Sequence, residues 1–271
     1  MTDRIPKAIR IIGMLMLAGL PSSISAEALR DFCPDRPGLG TPACTIDTGR
    51  FAVELGLGDW TLEREAGGRS DTIVTGDLLL RYGVSDALEA QIGWTAFGFA
   101  RERDRGGSVR RDNGTGDVRI ALRRNLRNPD GSGFAAAVMP FITLPVGGAA
   151  IGEKTMTAGI VLPASYEFAK GMQVAFSGQI DAAADADGDG HHLAYGAVLG
   201  ADAPIGRSVS ATIEVAARRD GEEGQGRTGL QTGFSLAWLI GQSLQADAGA
   251  IIGVNRHAPD LRLYLGIARR F

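Results

Sequence analysis

The sequence predicts an all-β chain, an antiparallel transmembrane β-barrel of about twelve strands that follows a cleaved signal peptide. Three observations predict it. Apolar residues recur with a period of two over twelve segments. The links between those segments alternate long and short. The first 26 residues read as a secretory signal. Composition agrees: 39 of 271 residues are glycine, about 14% and roughly twice the usual share. The chain is 44% hydrophobic and carries a net charge of −3. That content excludes a disordered chain, and charge spread this evenly argues against a nucleic-acid binder.

The N-terminal segment comes first. Arg4, Lys7 and Arg10 form a basic start, Ile11 to Leu20 an apolar run, and Ala26-Glu27-Ala28 an A-x-A cleavage motif. The run is too short to span a bilayer as a helix, which takes about 20 apolar residues. Residues 1–26 are therefore expected to be removed on export. Export places the rest in an oxidising compartment. Residues 27–48 are expected to be a periplasmic segment in which Cys33 and Cys44, the only two cysteines, pair across a Pro/Gly-rich loop. Two cysteines cannot hold a four-ligand structural metal centre, and no metal or cofactor is expected.

Residues 49–271 are expected to form the barrel. Phe51, Val53, Leu55 and Leu57 alternate with Arg50, Ala52, Glu54 and Gly56. Leu88, Ala90, Ile92 and Trp94 alternate with Glu89, Gln91 and Gly93. The pattern continues to Leu261, Leu263, Leu265 and Ile267, opposed by Arg262, Tyr264, Gly266 and Ala268. Each segment suits a tilted membrane strand of about 9–11 residues. Long links are expected at 58–72, 97–116, 145–154, 183–191, 218–228 and 254–260. Tight ones fall at 84–86, 127–132, 169–171, 203–207 and 240–242. Long loops on one side and tight turns on the other are the habit of outer-membrane barrels, and an even strand number brings both termini to the periplasmic side.

Aromatic residues cluster at segment ends: Tyr82, Tyr166, Phe168, Trp238 and Phe271 at the periplasmic rim, Trp60, Trp94 and Phe97 at the outer rim. Amphipathic rings favour the water–lipid interface. Phe271 closes an alternating strand and resembles the C-terminal signal read by the outer-membrane insertion machinery.

If the apolar face meets lipid, the other face lines the lumen. It then carries Glu54, Asp77, Arg81, Glu89, Arg119, Arg123, Glu167, Asp181, Asp202, Glu214, Asp247 and Arg262. Two readings stay open. The charges pair and plug a narrow lumen, or they line a wet path and set its selectivity. Inner-face glycines (Gly56, Gly83, Gly93, Gly196, Gly200, Gly233 and Gly249) would leave room for a path. Twelve strands lie between eight, which side chains fill, and sixteen, which leave an aqueous channel.

Two local motifs bear on chemistry. Asp185 to Gly190 matches the start of a calcium loop, but its twelfth position is Gly196 instead of the bidentate glutamate; a solvated hairpin tip fits better. His191 and His192 adjoin it without a serine at a matching position, so no nucleophile–base pair is assembled and no enzyme is expected.

Arg36-Pro37-Gly38-Leu39-Gly40-Thr41, Gly49-Arg50-Phe51-Ala52-Val53-Glu54, Leu80-Arg81-Tyr82-Gly83-Val84-Ser85-Asp86-Ala87-Leu88-Glu89, Gly116-Asp117-Val118 and Leu144-Pro145-Val146-Gly147 follow in that order. The series resembles the bacterial outer-membrane transporter family named for the meta-cleavage pathway of phenol degradation, over about residues 33–271. The resemblance implies a barrel and the passage of small, aromatic or other hydrophobic compounds; it implies no substrate or binding residue. The expectation is a barrel in the outer membrane of a Gram-negative bacterium, passing small solutes passively. Its partners would be outer-membrane lipids, the insertion machinery and the solutes, with no nucleic acid. A barrel-borne lipid hydrolase and a structural or adhesive barrel with a plugged lumen are the alternatives.

Overall fold

A computed structural model describes residues 29–64, 67–185, 187–221 and 226–271. The signal segment expected at 1–26 lies outside the described residues. The rest is one antiparallel sheet: β1 (Phe51–Glu63), β2 (Arg69–Ser85), β3 (Leu88–Arg103), β4 (Val109–Gly114), β5 (Val118–Arg127), β6 (Phe134–Leu144), β7 (Thr157–Ala169), β8 (Met172–Ala184), β9 (His191–Pro204), β10 (Val209–Asp220), β11 (Arg227–Ile240), β12 (Leu244–Gly253) and β13 (Leu261–Arg270). Apart from β4 and β5, which both pair with β3, each strand pairs with its neighbours in sequence, and β1 also pairs with β13, which closes the sheet. β4 and β5 share one position: β5 pairs with the first half of β3 and β4 with its far end. The thirteen segments thus make a twelve-stranded barrel whose wall is closed, and β4 pairs on one side only, with β3.

The alternation places each face as expected. Phe51, Leu80, Tyr82, Trp94, Tyr166, Phe168, Trp238, Leu265 and Phe271 are exposed, while Ala52, Glu54, Arg81, Glu89 and Ala268 are buried. The interior is polar and the outside apolar, which is the inverse of a soluble sandwich.

The expected long links at 58–72 and 97–116 are corrected by the structure. β1 runs to Glu63, β2 begins at Arg69, β3 runs to Arg103, and β4 fills part of 97–116. Beyond the β3–β5 pairing, the upper parts of β2 and β3 continue with β4 as a ribbon. The period of two is broken on the way up. Gly76 has φ +69 and faces Ala96 across the ladder, so even positions face out below it (Leu80, Tyr82) and odd ones above it (Ile73, Phe97). One such break hides a strand from a pattern search.

Candidate functional site: a plugged lumen

Residues 29–49 fold up into the end of the barrel where β1 begins and β13 ends. Cys33 and Cys44 are disulfide-bonded, and the loop between them reaches the barrel wall. Its tip is held by Glu214 of β10, whose carboxylate accepts the Leu39 N–H at 2.7 Å and the Gly40 N–H at 2.8 Å. Arg36 pairs with Asp247 of β12 at 3.0 Å. Asn125 donates to the Ala43 carbonyl at 2.8 Å, and Arg270 donates to the Arg30 carbonyl at 2.7 Å. Nothing in the alternation of the strands announces this plug.

A buried charge network underlies it. Arg81, Arg123 and Glu89 have no exposed surface and Glu54 has 1%. Arg81 contacts Glu89 at 2.8 Å, Glu54 at 2.8 Å and Asp35 of the plug at 3.1 Å. Arg123 contacts Asp35 at 2.6 Å and Glu89 at 3.4 Å. Two guanidiniums thus face three carboxylates. Plug N–H groups supply the remaining compensation: Asp35 and Arg36 donate to Glu54 at 2.8 and 2.9 Å, and Ile46 donates to Glu89 at 2.9 Å. A buried charge must be paired and hydrogen-bonded, so strand and plug residues satisfy each other only in the docked state. Burial of Asp35 raises its pKa, but Arg123 and Arg81 outweigh burial and hold it at about 2.

The lumen-facing candidates divide by position. Glu54, Arg81, Glu89, Arg123, Glu214 and Asp247 all belong to the plug or its network. Higher up, Asp181 pairs with Arg218 at 2.8 Å, and Arg119 lies 3.6 Å over the Phe141 ring. Asp77 accepts from the Thr95 hydroxyl, and Arg262 pairs with Asp59. Asp202 accepts from Gln173 and Thr212, while Glu167 accepts the Gly171 N–H at the β7–β8 turn. Of the inner glycines, Gly83 lies against the Asp47 carbonyl of the plug, Gly56 against Arg36 and Gly233 against Leu39. Their room is filled by the plug.

Sequence reasoning missed Asp35, Arg36, Asp59, Asp117 and Arg218. One signal pointed towards the plug: an inner face with isolated acids such as Glu214 and Asp247 calls for donors that the strands do not supply.

Above the plug lies a cavity of about 970 Å³. Leu39 and Thr41 of the plug contribute to its lining, together with Ser177, Gln179, Val198, Ala216, Arg218 and Gln231 of the strands. Asp117 accepts the N–H groups of Gly147 and Glu153 at 2.7 Å each. This folds the β6–β7 loop inward, so that Ile151 packs against Gly98 and Gly116. The His192 ring lies between the carboxylates of Asp185 and Asp220, which leaves neither of its nitrogens to a serine.

Residues 34–271 match the family described as "Putative MetA-pathway of phenol degradation". The chain belongs to this family. Its fold is that of an outer membrane channel from Pseudomonas putida F1, with a TM-score of 0.70 at 16% identity over 87% of this chain and 100% of the other. The NanC porin has a TM-score of 0.52 at 9% identity, over 81% and 98% of the two chains. The β domain of a Bordetella autotransporter, BrkA, has a TM-score of 0.50 at 12% identity, over 83% and 100%. No curated protein matches this sequence.

Proposed function

We propose that this family member is a passive outer-membrane channel for small solutes, closed at its periplasmic end by residues 29–49. One observation carries the reading: the interior holds a cavity of about 970 Å³ whose lining includes the tip of a docked plug. A chamber of that size suits a single small compound, since ligand cavities run about 300–1,000 Å³. Apolar Leu39, Val198 and Ala216 stand beside Gln179, Arg218 and Gln231, and Asp185, Asp187, Asp189 and Asp220 also line the cavity, which suits a small compound that carries polar groups. The phenol-degradation description of the family points the same way. No helix among the described residues is long and apolar enough to cross a membrane; the strands would do so. Flux would run down a gradient.

Planar-bilayer recording of the refolded mature chain tests this. Discrete openings, with ion selectivity altered by Arg218→Gln, support a channel. The five-charge network supports a second reading, a structural barrel with a permanently sealed lumen. That reading predicts a folded, silent protein, and it stays silent when the plug is loosened.

Phe271 belongs to the same proposal. It is 55% exposed, and its N–H donates to Phe51 at the closing seam of β1 and β13. Phe271→Ala should lower the fraction inserted by the assembly machinery and leave refolding in detergent unchanged.

A further inference from the structure

The ribbon above the barrel carries a charge asymmetry that the channel reading does not use. Residues directly opposite in an antiparallel ladder share a face. On β2, β3 and β4 the rung Ile73–Phe99–Asn113 is followed by Asp71–Arg101–Arg111, and then by Arg69–Arg103–Val109. Ile73 is 45% exposed and continues the lipid-facing surface, so the two upper rungs face outward with it. They hold four arginines and one aspartate. The opposite face holds Glu102, Arg110 and Asp112, with Arg110 paired to Asp112 at 2.7 Å.

Two pairings in the outward rungs set like charges directly opposite, Arg101 to Arg111 and Arg69 to Arg103. Such pairs are destabilising in a ladder unless an anion lies between them. Asp71 answers part of the charge, contacting Arg69 at 2.7 Å and Arg101 at 3.9 Å. Among the described residues no carboxylate pairs with Arg103 or Arg111.

Height fixes what these arginines meet. Asp71 stands eleven residues along β2 from the girdle residue Tyr82. At about 3.3 Å per residue and a tilt of about 40°, that is roughly 28 Å along the barrel axis. The lipid-facing apolar band of such barrels is about 25 Å tall. The arginine rungs therefore stand just above the acyl chains, at headgroup level, on the side away from the plug.

We propose that Arg69, Arg101, Arg103 and Arg111 form a binding site for the phosphate groups of a phosphorylated glycolipid of the outer leaflet. Planar guanidiniums suit phosphate oxygens, and Ile73, Phe97 and Phe99 directly below suit the acyl chains. The anion would relieve the like-charge rungs and pin the ribbon to the membrane surface.

The test measures binding of bisphosphorylated lipid A to the refolded mature chain by native mass spectrometry. Dephosphorylated lipid A and phosphatidylglycerol serve as comparisons. The R103Q/R111Q double variant should bind bisphosphorylated lipid A at least tenfold more weakly, while its conductance and heat-modifiable migration match the parent. The parent should prefer the bisphosphorylated form at least tenfold over both comparison lipids. Equal binding by parent and variant, or equal binding of phosphatidylglycerol, overturns the assignment.

Discussion

Arg81 has no exposed surface and touches three carboxylates, Asp35, Glu54 and Glu89. Removing one partner from a buried network leaves the others uncompensated, which is typically worth about 3–5 kcal/mol. Arg81→Ala should therefore lower the urea midpoint of the refolded barrel clearly, followed by the loss of heat-modifiable migration. Glu214 acts more locally. Glu214→Ala deprives the Leu39 and Gly40 N–H groups of their acceptor, an expected loss of about 1–3 kcal/mol in plug docking. The measurable outcome is more frequent opening in single-channel records, with a smaller fall in the urea midpoint than Arg81→Ala causes. Asp35 gives the plug one contribution that resists acid. Its carboxyl titrates at about 2 in the docked plug, below the ordinary carboxylate value of about 3.9. A depressed folded-state pKa gives stabilisation that is complete above the unfolded value and is lost as pH falls through the folded one. This contribution to plug docking should hold from pH 7 to pH 4 and disappear towards pH 2. Opening frequency recorded over that range checks it; a rise already at pH 5 would assign the acid response to another group.

At the scale of elements, the disulfide and the ribbon are decisive. Cys33–Cys44 closes a loop with a sequence separation of 11, worth about 2–3 kcal/mol in the chain-entropy account. Replacing both cysteines by alanine should leave the strands intact and make the plug susceptible to added protease from the periplasmic end. The ribbon depends on Gly76. A side chain there would meet Ala96 at 2.8 Å in a left-handed backbone conformation, so Gly76→Val should disturb the parity change between Ile73 and Leu80. The links expected at 58–72 and 97–116 were misread for this reason. Polar residues such as Arg101 and Arg103 look like loop when the period of two slips by one, although the ladder continues through them.

At the scale of the whole molecule, barrel and plug are one folding unit, because buried charges of the wall are satisfied by backbone groups of residues 29–49. Removing residues 29–49 from the mature chain should raise conductance severalfold and also lower stability, since Glu54, Glu89 and Glu214 would each lose N–H donors. Conductance and urea midpoint measured on the same preparation show whether the two effects appear together.

The class of the fold and the make-up of its wall are written in local patterns. A period of two over twelve segments, aromatic ends and inward acids and arginines are local properties, each readable within a few residues. Whether the lumen is empty depends on contacts between distant parts of the chain. Glu214 meets Leu39 across a separation of 175 residues, and Arg36 meets Asp247 across 211. Contacts that distant leave no period in the chain, and the backbone N–H groups that complete them are common to almost every residue type.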